Sequence, residues 1–133
     1  ISKAKKGMPG IFRKRAGRGK SGRYKGIWCA STYELAFLIY HQDYNIQIER
    51  NKDVFLYYNP ETQKEHKYLP DFRVDGKLAE IKGYHTKLFE YKLTGVTEPI
   101  DIYYKKDLID IFNYVTNKTG LIIKNLHKLY DKT

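Results

Sequence analysis

Pro70-Asp71-Phe72-Arg73-Val74-Asp75-Gly76-Lys77-Leu78-Ala79-Glu80-Ile81-Lys82-Gly83 is the stretch from which the rest of the chain is best read. Asp-Gly between two alternating runs is a strong signal for a two-residue hairpin turn, and such a turn fixes the register. Val74 then faces Lys77, Arg73 faces Leu78, Phe72 faces Ala79 and Asp71 faces Glu80. Side chains alternate along a strand. Phe72, Val74, Ala79 and Ile81 should therefore share an apolar face, and Asp71, Glu80 and Lys82 the other. Two carboxylates opposed across a sheet destabilise it by roughly a few tenths of a kcal/mol or more. A divalent cation between them reverses the sign, and hard oxygen ligands suit Mg2+ or Mn2+. Such an ion binds a phosphoryl oxygen and lowers the pKa of its water. An ammonium two residues along, that of Lys82, is placed to hold an attacking water or the charge that develops on phosphorus. Pro70 sets the chain just before Asp71, and Gly83 allows close approach just after Lys82. Taken alone, Glu80-Ile81-Lys82 is a weak signal and reads first as a surface salt-bridge segment; the in-register Asp71, Pro70 and Gly83 raise it.

Outward from the hairpin, the pattern predicts an α/β domain. Ser31-Thr32-Tyr33-Glu34 has the form of a capping box ahead of Leu35, Phe37, Leu38 and Ile39, so a helix is expected over 31–43. Ile46 and Ile48 alternate with polar residues in a short extended piece. Strands are expected over 54–58 and 65–74, the second with Pro70 at an edge or bulge, then over 77–83 and 100–104. Residues 84–98 are ambiguous between a short helix and a loop. Helices are expected over 106–117, with Leu108, Ile109, Phe112 and Val115 inward, and over 121–130. Glu34 has two readings: the capping residue of Ser31, or a third carboxylate that binds metal or orients its water. His41 shares a helical stripe with Glu34 and Leu38. It is a candidate phosphate contact, as is His85, and for both the plainer reading is an ordinary surface or partly buried histidine.

Charge divides the chain. Of its 25 basic residues, ten lie within 1–26: Lys3, Lys5, Lys6, Arg13, Lys14, Arg15, Arg18, Lys20, Arg23 and Lys25. No acidic residue accompanies them, and six of the ten glycines fall there too. The other fifteen basic residues are balanced by fifteen acidic ones, so the net +10 is carried by one segment. Residues 1–25 are expected to be an extended basic arm, and 26–133 the folded domain. Fixed positive charge displaces counterions from a phosphate backbone and gives strong, salt-dependent affinity. The arm lacks the apolar face of an interfacial helix, and no apolar run approaches a membrane span. Nucleic acid is therefore the expected partner, not a membrane. One cysteine, Cys29, excludes an internal disulfide, and with four scattered histidines it argues against a zinc finger. Cys29 is expected to be a small buried side chain. The sequence opens on Ile1, which suggests a processed or trimmed N-terminus.

Pro70-Asp71, eight intervening residues and then Glu80-Ile81-Lys82 resemble the motif of the PD-(D/E)xK nuclease superfamily. The wider stretch from Tyr24 to Lys106 resembles small phage-encoded and homing-type endonucleases. The resemblance implies a restriction-endonuclease-like mixed sheet flanked by helices. It makes Asp71 and Glu80 metal ligands, Lys82 the catalytic lysine and Glu34 the added glutamate of the first core helix. It also implies Mg2+- or Mn2+-dependent hydrolysis of phosphodiesters in double-stranded DNA, branched DNA included; a homodimer, or a domain of a larger site-specific enzyme, is the expected form. A phage or mobile-element origin would place it in the bacterial cytoplasm. Fold does not choose among restriction, homing, junction-resolving and repair nucleases. A non-catalytic nucleic-acid-binding protein would need only the arm.

Overall fold

The computed structural model describes residues 20–132. They fall into two compact units, one of the chain up to Tyr40 together with the chain from Ile111 onward, the other His41–Asp110. The fold is α/β, with a mixed sheet and flanking helices. No helix among the described residues is long and apolar enough to cross a membrane.

The first unit opens with a hairpin. Strands β1 (Gly22–Tyr24) and β2 (Ile27–Cys29) pair antiparallel, Arg23 opposite Trp28. Their turn, Lys25-Gly26, has φ of 50° and 82°, the left-handed pair that a tight hairpin needs. The last residues of the segment read as a basic arm are thus folded, while its residues 1–19 lie outside the described part. Helix α1 (Thr32–Asp43) follows, close to the expected 31–43. Leu35, Ala36, Phe37, Leu38 and Ile39 are all buried in succession, the mark of a helix covered on every side. Cys29 is buried, as its size suggested.

The second unit holds the predicted hairpin. β3 (Ile48–Arg50), β6 (Phe72–Val74), β7 (Lys77–Ile81) and β8 (Ile100–Tyr103) form a four-stranded sheet in the order β3-β6-β7-β8. The β7–β8 pairing is parallel and the other two are antiparallel. A separate ribbon is made by β4 (Phe55–Asn59) and β5 (Lys64–Tyr68). The single strand expected over 65–74 is two strands in two sheets. Pro70 has no N–H to give a ladder, and the chain changes partner there. The register Val74↔Lys77, Arg73↔Leu78, Phe72↔Ala79 is as the turn dictated, with φ of 50° at Asp75 and 84° at Gly76.

The ambiguous stretch after β7 contains α2 (Lys87–Thr94), capped by Thr86, whose hydroxyl accepts from the Phe89 N–H at 3.1 Å. At its end Gly95 lies so close to the Leu56 carbonyl that any Cβ would collide with it, which lets the helix end press on β4. Tyr57, Tyr68 and Phe89 form the buried cluster between ribbon and helix, flanked by Leu93, Val96 and Ile102. Helix α3 (Lys105–Thr119) buries Leu108, Ile111 and Val115, while Ile109, expected inward, is 52% exposed. The buried stripe runs 108–111–115, one helical face displaced from the expected one. A 3₁₀ helix, Ile123–Leu129, stands where a last short helix was expected.

Candidate active site

Asp71 and Glu80 meet where the β6–β7 ladder ends. The backbone pairing stops at Phe72↔Ala79, and side chains take over from there. The Asp71 N–H donates to Glu80 Oε1 at 3.2 Å, and the Ile81 N–H donates to Asp71 Oδ2 at 2.8 Å. Each acid is thus held by the backbone of the other's neighbourhood, which places both carboxylates at one spot. On the other side the Asn51 N–H donates to the Asp71 carbonyl at 3.1 Å. Asn51 is buried, and its side-chain amide donates to the Pro70 carbonyl at 3.2 Å and the Asp53 carbonyl at 2.8 Å. The Pro70-Asp71 step is therefore clamped between β3 and β7.

The environment differs from the solvated face that alternation suggested. Burial along β7 runs exposed at Lys77 and then buried at Leu78, Ala79, Glu80 and Ile81. On the Glu80 side, Ile102 of β8 stands in register beside it, and the Tyr57–Tyr68–Phe89 cluster packs against Ile102. Glu80 is only 7% exposed. A carboxylate so desolvated needs strong donors, and the Tyr68 hydroxyl supplies one, donating to Glu80 Oε1 at 2.8 Å. Burial, then the charge and hydrogen bond of Glu80, push the Tyr68 phenol far above its ordinary range, so it stays a donor.

Three cations lie in the neighbourhood of the pair. Arg50 lies 4.0 Å from Asp71 Oδ1, with its guanidinium over the Phe72 ring. Lys82 sits half-buried with Nζ 5.0 Å from the centre of the Phe89 ring. Lys92, on α2, holds its Nζ 5.5 Å from the centre of the Tyr68 ring. Burial and then the charge of Lys82 pull the Lys92 ammonium below the ordinary lysine range, against the opposing pull of Glu80 and Asp71. Lys82 and Lys92 thus approach one site from two elements. The hairpin count had singled out Lys82 alone. Lys92, Tyr68, Arg50 and Asn51 carry no local signal, since each owes its place to packing between distant segments.

The other expected residues are distributed as follows. Glu34 is buried and acts in the capping box, its N–H donating to Ser31 Oγ at 3.2 Å and its Oε1 accepting from the Ala30 N–H at 3.0 Å. It belongs to the first unit, and Asp71, Glu80 and Lys82 to the second. Among the described residues no group of three His, Cys, Asp or Glu side chains is arranged to hold a metal ion. His41 is 5% exposed, a buried histidine on α1. His85 is exposed, but Nδ1 meets the Tyr104 hydroxyl and Nε2 meets Glu90 Oε2, each at 2.9 Å. Its ring also lies edge-on to Phe89, so it borders the aromatic floor under Lys82 with both nitrogens already engaged. Of the arm residues, Lys20, Arg23 and Lys25 are described, whereas Lys3, Lys5, Lys6, Arg13, Lys14, Arg15 and Arg18 lie outside the described residues.

Compared with known proteins, the chain matches no family model, no curated protein and no solved structure.

Proposed function

We propose that the chain is a metal-dependent DNA endonuclease of the restriction-endonuclease-like type. Asp71 and Glu80 would hold Mg2+ or Mn2+, and Lys82 would serve the reacting phosphate. The observation that supports this reading best is the paired arrest of Asp71 and Glu80 at the end of one hairpin, with Glu80 buried and Lys92 within electrostatic reach of both acids and of Lys82. Burying a carboxylate costs several kcal/mol, by order of magnitude, unless it is compensated, and a site that retains this one has a use for it. The donor set fits the ion, since Mg2+ is commonly held by one or two carboxylates and keeps several waters. When bound, it would lower the pKa of a water and neutralise charge on the phosphoryl group.

The chain's own residues supply the remainder. Asn51 and the Ile81 N–H hold Asp71 in place, and Tyr68 keeps one oxygen of Glu80 fixed, so the ligands need not reorganise. Lys82 donates to a phosphoryl oxygen or holds the attacking water. Lys92, its charge weakened by burial and by Lys82, stabilises a second oxygen or passes a proton. Lys20, Arg23 and Lys25, continued by the basic residues before them, bind the phosphate backbone of the DNA substrate.

The test is cleavage of supercoiled plasmid, with a four-way junction and a mismatched duplex alongside, in Mg2+ and in excess chelator. Wild type should nick or linearise DNA only with the metal. Lys82→Ala should slow cleavage by about 10²–10³-fold, the loss expected for one donor to a charge that develops in the transition state. Metal-independent cleavage, or no cleavage of any substrate beside normal binding, would overturn the assignment. The latter result would leave a nucleic-acid-binding protein.

A further inference from the structure

The β1–β2 hairpin carries a surface that the cleavage centre does not use. Alternation turns Tyr24, Ile27 and Cys29 toward the half-buried or buried side, and leaves Arg23 and Trp28, partners in register, both exposed. Trp28 is the chain's one tryptophan, and it is 41% exposed. The Arg23 guanidinium stands 5.9 Å from its ring centre. An indole left open in this way forgoes much of the burial that large aromatic side chains normally contribute.

The mount beneath it is firm. Asp131 accepts from the Lys25 and Gly26 N–H groups, each at 2.8 Å, and its own N–H donates to the Arg23 carbonyl at 2.6 Å. The Tyr130 hydroxyl donates to the Lys20 carbonyl at 2.7 Å, and the Tyr130 ring lies where a Cβ on Gly22 would have to go. The Gly26 and Lys25 N–H groups hold the Asp131 carboxyl below its usual range. Its charge is thus held at the turn, next to Arg23, whose guanidinium also donates to the Gly26 carbonyl at 3.3 Å; Lys20, Arg23 and Lys25 are all exposed. The chain reaches this hairpin from a segment with seven more basic residues and no acid.

We propose that the hairpin is a base-stacking platform, in which Trp28 takes an unpaired DNA base while Arg23, Lys25 and Lys20 take the phosphates on either side of it. An aromatic face next to a cationic track is the way sequence-tolerant single-strand binding is built. A paired base already has both faces stacked, so the platform favours DNA with unpaired or displaced bases over a perfect duplex. This rests on the nucleic-acid half of the proposed function and not on the metal centre.

Because Trp28 is the sole indole, its fluorescence reports the contact directly. The protein is titrated in excess chelator with one oligodeoxynucleotide, as a single strand and as its perfect duplex. Stacking should quench the emission, more strongly for the single strand. Trp28→Ala should weaken single-strand binding by about 5- to 150-fold, the value of one base–aromatic stack, and Trp28→Phe should keep most of the affinity. Unchanged emission at saturating DNA overturns the proposal, as does Trp28→Ala binding like wild type, or a preference for duplex. A blue shift on anionic vesicles without a response to DNA overturns it in favour of a membrane surface. Should Trp28→Ala fail to fold, the wild-type quench and the Trp28→Phe affinity decide. Chelator silences cleavage, so a negative result here is separable from a negative result on plasmid.

Discussion

Two ribbons in the second unit are built alike and used differently. The β4–β5 ribbon turns at Asn59, whose side-chain oxygen accepts from the Glu61 N–H at 2.8 Å. It keeps one wet face: Leu56 and Tyr58 are more than half exposed, whereas Tyr57 and Asn59 are buried. The β6–β7 ribbon turns at Asp75-Gly76 and keeps no wet face along β7, whose last four residues are all buried. Lys64, Glu65 and Lys67 on β5 are solvated, so their charges cost little and reveal little. Glu80 on β7 has lost its water and is held by Tyr68 and the Asp71 N–H. A charged residue is informative where the fold has removed its solvent and replaced it with fixed donors.

That contrast is open to attack by substitution. Phe72→Ala removes a fully buried ring on β6 and should cost about 3–5 kcal/mol, while Leu56→Ala on the wet face of β4 should stay within about 0.5 kcal/mol. Urea unfolding of both variants measures the difference, and equal losses would erase the distinction between the ribbons. Next in size, Tyr68→Phe removes a donor to a buried carboxylate and should cost about 1.5–3 kcal/mol. Tyr58→Phe, 56% exposed on the same ribbon, should be near neutral, so a neutral Tyr68→Phe would mean that Glu80 does not depend on it.

The smallest effect has the opposite sign. Lys92 is desolvated beside Lys82, so Lys92→Met should stabilise the protein by about 0.5–2 kcal/mol and slow cleavage, the usual exchange at a functional site. The pH dependence follows from linkage. Lys92 has a folded-state pKa below its unfolded value, so the unfolded chain binds more protons between the two, and stability rises with pH through that window. The advantage of Lys92→Met should therefore be full below the lowered pKa and shrink as pH approaches the ordinary lysine value. An advantage that grows with pH would contradict the assignment.

The β6–β7 register was legible because the Asp75-Gly76 turn is local chemistry, and the residues that pair across a two-residue turn follow by counting. Lys25-Gly26 makes a turn of the same kind, but lysine in the left-handed region is an uncommon choice, and the surrounding charge reads as an unfolded arm. Alternation placed Asp71, Glu80 and Lys82 on one face, yet no local pattern announces that a ribbon and α2 cover the aromatic floor beside it. For the same reason Lys92, Tyr68 and Asn51 stayed hidden. Their roles arise from contacts across stretches of chain that no periodicity links. Ile109 shows the limit within one helix: Leu108, Ile109, Ile111, Phe112 and Val115 fit two neighbouring stripes, and packing chose between them.

On the proposed reading, Asp71 and Glu80 act as one unit around a shared cation. Cleavage rates in Mg2+ for Asp71→Asn, Glu80→Gln and the double variant test it most directly. Residues that serve a single centre are strongly non-additive. Each single change should therefore cost about as much as the pair together, with the double variant no slower than the worse single. Full activity in either single variant, or losses that simply multiply, would contradict the account.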